Sequence, residues 1–264
     1  MWGFFKTFVG GLCTLSQVEK QKSFKIARGN ATRRKPRAVF FDAAGTLIRL
    51  REPVGQTYSR IADESGIQLL PDAADAAFKK GFRSLAPPDY TDVASAAETI
   101  EREWWQRLVL QVLVEECGVR GVTPEADACF EKLFGHYGKG DAWSLYPDTL
   151  EALSGCQAAG LKIYVVSNFD RRLHGVLEEL GLTAYLDGVI ISGETRCRKP
   201  DPAIFHAAVS RAGHTASECL HIGDDPRADW EGAAAAGLRV FHLKRPGNGL
   251  LDALRETIPK NLTQ

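Results

Sequence analysis

Three short apolar runs, each ending at a polar residue, constrain the fold of this chain more than any other feature. Ala38-Val39-Phe40-Phe41 ends at Asp42 and is followed by Ala-Ala-Gly-Thr. Leu161–Val166 ends at Ser167-Asn168, and Cys219–Ile222 ends at Gly223-Asp224-Asp225. A short unbroken apolar run bounded by turn residues is the pattern of a strand buried on both faces. Val189–Ser192 and Arg239–Leu243 are weaker runs of the same type. Helical periodicity fills the intervals, over about 148–159, 171–181, 201–212 and 228–236. Alternation of this type predicts an α/β fold: a Rossmann-like parallel sheet covered by helices on both faces. Ligands of such open sheets bind beyond the carboxyl ends of the strands, where the polar residues named above fall.

The stretch 51–144 has a different character. It offers helical periodicity without a convincing strand, over Val54–Glu64, Ala73–Ser84, Ala94–Glu116 and Pro124–Tyr137. In the third segment Trp104, Trp105, Leu108, Val109, Val112 and Leu113 recur at helical spacing and form a wide apolar face. The expected organisation is a core made of 38–50 and 145–258, a helical cap at 51–144, a basic tail at 1–37 and a short tail at 259–264.

Charge separates the tail from the body. Of the 33 bases and 33 acids in 264 residues, nine bases and a single acid, Glu19, lie in residues 1–37, which leaves the remainder acidic. Such a tail reads as an organelle-targeting peptide, as a contact for an anionic surface, or as a solvated extension. The expected location is accordingly the cytoplasm, with an organelle as the alternative. No apolar stretch reaches the eighteen residues of a membrane span. The six cysteines are scattered without a C-x-x-C pair, which speaks against a zinc site or disulfide framework and fits a reducing compartment. No nucleic-acid partner is expected, and oligomeric state is not legible.

The polar strand ends carry a chemistry when taken together. Phosphoryl transfer needs a positioned nucleophile, alignment, and neutralisation of charge on the phosphoryl oxygens. Asp42 supplies a carboxylate that could form an aspartyl-phosphate and split one hard step into two. Asp224 adds a second carboxylate, and Asp229, five residues on, can reach the same place. Hard oxygen ligands of this kind suit Mg2+. Ser167 and Thr46 offer hydroxyls, and Lys199, in the turn Lys-Pro-Asp-Pro, offers a positive charge. Each of these residues alone is commonplace. The ordered set is not.

That set resembles the four motifs of the haloacid dehalogenase-like (HAD) superfamily, here FFDAAGTL (40–47), YVVSNFD (164–170), RKPDPAIF (198–205) and HIGDDPRADWEGAAAAG (221–237). The helical insertion matches the cap position after the first motif. The Trp104-Trp105 helix, with VVSNFDRRL (165–173), further resembles the subgroup called domain-containing protein 3. The resemblance implies a Mg2+-dependent phosphatase acting on a small phosphorylated metabolite. By the same resemblance Asp42 is nucleophile and metal ligand, and Asp224 and the Ala44 carbonyl complete the metal set with Asp229 outside it. Ser167, Asn168 and Thr46 are expected at the substrate, and Lys199 at both phosphate and Asp42.

One position departs from the family pattern. The residue two after the nucleophile is usually a second Asp, the general acid/base, and here it is Ala44. Losing a positioned acid/base costs ~10²–10⁴-fold in rate. Three alternatives therefore stand beside a slow phosphatase. One is a phosphonoacetaldehyde hydrolase-like enzyme that uses a cap lysine, for which Lys79 and Lys80 are available. The others are a metal-independent haloacid dehalogenase and a non-enzymatic binding protein. His206, His214, His221 and His242 lack metal-ligand spacing and read as surface or packing residues. Asp170 reads as a helix cap beside Arg171 and Arg172.

Overall fold

The computed structural model describes residues 35–92, 94–119 and 121–258. The expectations for most of the basic tail (1–34) and for 259–264 lie outside the described residues. The apolar runs form the central sheet: β1 (Ala38–Phe41), β4 (Lys162–Ser167), β5 (Gly188–Ile191), β6 (Cys219–Gly223) and β7 (Arg239–His242). Their order is β5-β4-β1-β6-β7, and every pairing is parallel. All four residues of β1 are fully buried, because the strand sits mid-sheet with helices over both faces.

Register sets the site. Phe41 pairs with Val165 on one side and with Ile222 on the other, so Asp42, Ser167 and Gly223 emerge at the same edge. Two apolar layers hold this edge in place. Val39, Phe41, Ile163, Val165 and Ile222 face one layer, and Phe40, Val166, Ile204, Phe205 and Ala208 face the other.

The parallel sheet is completed by α5 (Thr149–Ala158), α6 (Arg172–Glu179), α7 (Pro202–Ala212), α8 and α9 (Leu250–Thr257). Here α8 denotes Pro226–Glu231, a widened π-type turn, continuing into Gly232–Ala235. Helix α9 has no counterpart in the sequence reading above. Four helices precede these: α1 (Val54–Asp63), α2 (Pro71–Ser84), α3 (Ala97–Cys117) and α4 (Pro124–His136). They pack on one another around Tyr58, Ile61, Val109, Leu113, Phe130 and Leu133, a core of their own.

A two-stranded antiparallel ribbon joins the two parts. Strand β2 (Ile48–Leu50) pairs with β3 (Trp143–Leu145), with Ile48 opposite Leu145 and Leu50 opposite Trp143. Ala142 and Trp143 pack into the sheet's core rather than among the four helices, so the expected boundary at 144 falls a few residues late. The ribbon escaped sequence reading because each strand is only three residues long, too short to show alternation. Among the described residues no helix is long and apolar enough to cross a membrane.

Candidate active site

The loop after β1 is folded tightly. The Ala43 carbonyl accepts the N–H groups of Thr46, Leu47 and Ile48, and the Gly45 N–H donates to the Ile48 carbonyl at 2.8 Å. Gly45 has a φ of +95°, a conformation open to glycine and strained for other residues. Asp42 is thereby held at the strand end, buried apart from its access to the edge.

Four chain segments meet there. Ser167, at the end of β4, donates its hydroxyl to Asp42 Oδ1 at 2.9 Å. The Lys199 ammonium donates to the same oxygen at 2.7 Å and to Asp229 Oδ1 at 2.6 Å. Oxygens of Asp42, Asp224 and Asp229 lie within 4.8 Å of one another. Asp42, Ser167, Lys199, Asp224 and Asp229, scattered over nearly 190 positions of sequence, thus form one cluster at the carboxyl ends of β1, β4 and β6.

The cluster is electrostatically unbalanced. Three carboxylates face one ammonium group. Asp42 is pushed above the usual carboxylate range by burial, with Lys199 opposing and Asp229 reinforcing the shift. Asp224 is pushed up to about 7, first by burial and then by the charges of Asp42 and Asp229. Asp229 goes the other way: burial would raise it, but Lys199 and His221 outweigh burial and hold it well below the carboxylate range. Burial would likewise depress Lys199, yet Asp229 and Asp42 hold it above the ordinary lysine value. The lysine therefore stays cationic at neutral pH, and Asp224 is the group left without a compensating charge.

Thr46 and Asn168, expected at the substrate, make hydrogen bonds within the cluster. Thr46 is fully buried, and its hydroxyl donates to Asp224 Oδ1 at 3.1 Å, so it orients a carboxylate instead of facing the open edge. Asn168 clamps the backbone of Lys199. Its amide donates to the Lys199 carbonyl at 2.9 Å, and its oxygen accepts the Lys199 N–H at 2.7 Å. Ala44 is exposed beside the cluster, and its methyl offers no proton. Lys79 and Lys80 are exposed on the helical part, paired with Asp75 and Glu115, and play no part in the cluster.

His221 was missed by the sequence reading, which took it as a packing residue. It is fully buried, and its Nε2 lies 2.9 Å from Asp229 Oδ1. Its position in β6, with its side chain on the face opposite Ile222, was the available signal. Asp225 caps the following turn through the N–H groups of Arg227 and Ala228, as expected of a residue before Pro226.

Residues 36–237 match the family described as haloacid dehalogenase-like hydrolase. The chain belongs to that family. Its curated relatives include haloacid dehalogenase-like hydrolase domain-containing protein 3 of Mus musculus, 33% identical over 87% of this chain and 90% of the relative. The Danio rerio protein of the same name is 34% identical over 79% of this chain and 85% of its own length. Among solved structures, the HAD-hydrolase YfnB of Bacillus subtilis, solved bound to magnesium, superposes with a TM-score of 0.63. The alignment covers 85% of this chain and 99% of YfnB at 16% identity, a likeness of fold. A HAD phosphatase from Thermococcus onnurineus gives 0.58 at 22% identity, over 83% and 97% of the two chains. This HAD-like hydrolase therefore has the family's sheet, with its motif residues converging at one edge.

Proposed function

We propose that this hydrolase is a Mg2+-dependent phosphatase that cleaves a small phosphate ester through an aspartyl-phosphate on Asp42. The observation that carries the reading is the convergence of Asp42, Ser167, Lys199 and Asp224 at one strand edge. The donor set fits a hard divalent cation: clustered carboxylate oxygens, with Asp224 driven up to about 7 first by burial and then by the negative charge of Asp42 and Asp229, which a cation would neutralise. Asp42, Asp224 and the Ala44 carbonyl would hold it. Asp229 is left outside, since its oxygens already accept from Lys199, His221 and the Asp225 N–H. Bound there, the ion supplies charge neutralisation for the phosphoryl oxygens.

The protein's own residues do the rest. Asp42 Oδ2 bears neither the Ser167 nor the Lys199 hydrogen bond, both of which go to Oδ1, and it is the attacking atom. Ser167 and Lys199 fix the carboxylate plane, and the remaining N–H of Lys199 is a donor for a phosphoryl oxygen beside it. Charge stabilisation, commonly the larger part of such catalysis, is thus provided. Proton transfer is not, because Ala44 stands where an acid would protonate the leaving oxygen and then activate water.

The test is a burst experiment. With magnesium and an aryl phosphate, whose leaving group departs without a proton, phospho-Asp42 should accumulate and release leaving group equal to the enzyme before a slow steady state. Asp42→Asn should abolish both phases. Ala44→Asp should quicken the slow phase by up to ~10²-fold. Turnover unchanged by magnesium chelation would favour a dehalogenase-type chemistry instead, and absence of any Asp42-dependent turnover would favour a binding protein.

A further inference from the structure

His221 occupies an unusual place for a polar side chain. It lies in the interior of β6 between Leu220 and Ile222, fully buried, with Phe205 packed edge-on at 5.0 Å. Its Nδ1 has no hydrogen-bond partner among the described residues. A buried polar atom left unpaired is costly, so an apolar residue would serve packing better here. Among the described residues the ring's polar contact is to Asp229, the carboxylate that holds Lys199.

We infer that His221 is a positioning residue for the nucleophile, acting through Asp229 on Lys199; the inference rests on the role proposed for Asp42. Asp229 is pinned from three sides. Its Oδ1 accepts from Lys199 at 2.6 Å and from His221 at 2.9 Å, and its Oδ2 accepts the Asp225 N–H at 3.0 Å. Its carboxylate lies where a side chain on Gly223 would sit, since a Cβ there would come within 2.3 Å of the Asp229 carboxyl carbon. Pinned in this way, Asp229 keeps Lys199 shared between two carboxylates at 2.6 and 2.7 Å. Without the His221 bond the Asp229 carboxylate is free to turn. Lys199 then shifts its charge onto Asp42, where it neutralises the attacking oxygen's carboxylate and no longer aims a donor at the phosphoryl group.

The test compares His221→Gln, whose amide nitrogen can reach the position of Nε2, with His221→Leu, of similar bulk and without a donor. His221→Asn, whose amide is too short to reach, serves as a second donor-deficient variant if the leucine protein does not fold. The full chain is assayed with magnesium and para-nitrophenyl phosphate, and the burst rate constant, the KM and the urea midpoint are measured for each. The loss of a partner behind a site residue typically costs 10–100-fold in activity. The leucine or asparagine variant should therefore lose about 10–100-fold in the burst rate with little change in KM. The glutamine variant should recover most of the loss at a similar urea midpoint. Leucine and asparagine variants that burst at the wild-type rate overturn the inference. So does a glutamine variant as slow as they are, because the ring would then act through shape alone. Asp42→Asn is the reference: if it retains turnover, or if the wild type has none, the proposed function falls and this inference with it. If Asp42→Asn is inactive and the His221 variants are indifferent, only this inference falls.

Discussion

Replacing Gly45 with alanine should damage the protein in two separable ways. The residue's φ of +95° is strained for any side chain, at about 1–3 kcal/mol. The new Cβ would also lie 2.5 Å from Asp224 Oδ2 and 2.6 Å from Oδ1, closer than real Cβ contacts come. Asp224 must then retreat, and its hydrogen bond from Thr46 at 3.1 Å is broken. A bond to a charged group is worth about 1.5–3 kcal/mol. The two effects together predict a loss of about 2.5–6 kcal/mol in urea unfolding, measured with chelator at pH 8, above the value near 7 expected for Asp224. In an Asp224→Ala background the crowding and the acceptor are both gone, so Gly45→Ala should cost only the strain. The coupling between the two substitutions should be about 1.5–3 kcal/mol. A coupling inside the ~0.5 kcal/mol expected of independent sites would refute the crowding argument. A Gly45→Ala cost below that same figure would refute the backbone argument as well.

Three other outcomes follow from the same geometry. On the proposed reading magnesium displaces a proton from Asp224, so its affinity by calorimetry should climb about tenfold per pH unit below about 7 and flatten above; a flat profile from pH 5 to 8 would contradict this. The sign for the metal-free protein is opposite: the folded state holds this proton more tightly than the unfolded chain, so the Asp224 contribution falls as pH rises from 3.8 past about 7, visible in urea midpoints. Arg172→Ala strips the charged partner from buried Asp170, leaving it the Trp105 indole and a backbone N–H, and should cost about 3–5 kcal/mol; a loss under 1 kcal/mol would mean the pair holds nothing. Asn168→Ala frees the Lys199 backbone and should slow turnover by ~10–100-fold while leaving magnesium affinity unchanged; a weakened magnesium affinity would place the asparagine elsewhere in the mechanism.

The sheet was legible because a strand buried on both faces has to be mainly apolar, as β1 is throughout and as β4 and β6 are apart from Lys162, Ser167 and His221. Asp42, Ser167 and Asp224 were legible for a related reason: a polar group that ends such a run has only the strand edge to occupy. What was not legible was the direction of particular side chains. Thr46 and Asn168 sit in the expected loops, but the tight loop after β1 turns the threonine inward to Asp224, and the approach of the Lys199 loop captures the asparagine. Those outcomes depend on segments more than 30 and 170 positions away in sequence, beyond any local pattern. The His221–Asp229 contact spans only eight residues, but it becomes visible only once the π-type turn folds back over β6.

The loops that carry the cluster also carry the contacts to the four-helix part. Two residues past Asn168, Asp170 pairs with Arg172 at 2.6 Å and accepts from the Trp105 indole at 3.1 Å. Arg172 in turn donates to the Phe134 carbonyl at 2.6 Å and lies 3.6 Å over the Phe134 ring. Shortly before Lys199, the Arg196 guanidinium donates to the carbonyls of Tyr90, Asp92 and Ser95, and Ser192 donates to Glu101 at 3.3 Å. Arg196 holds a φ of +54°, the one non-glycine residue in this region of backbone space among the described residues. Strain of that kind persists where surrounding contacts over-determine it, and three carbonyl contacts do so here. The exposed pair Arg171–Glu98 adds little, because solvent screens it. The buried contacts are different: Asp170, Glu101 and Ser192 are each almost wholly enclosed, so separating the helices from the sheet would leave polar groups unpaired. Ser167 and Lys199 stand three and three residues from Asp170 and Arg196 respectively, too few for slack. Moving the helices therefore moves the hydroxyl and the ammonium that fix Asp42, and the seam's geometry and the site's geometry are set by the same two stretches of chain.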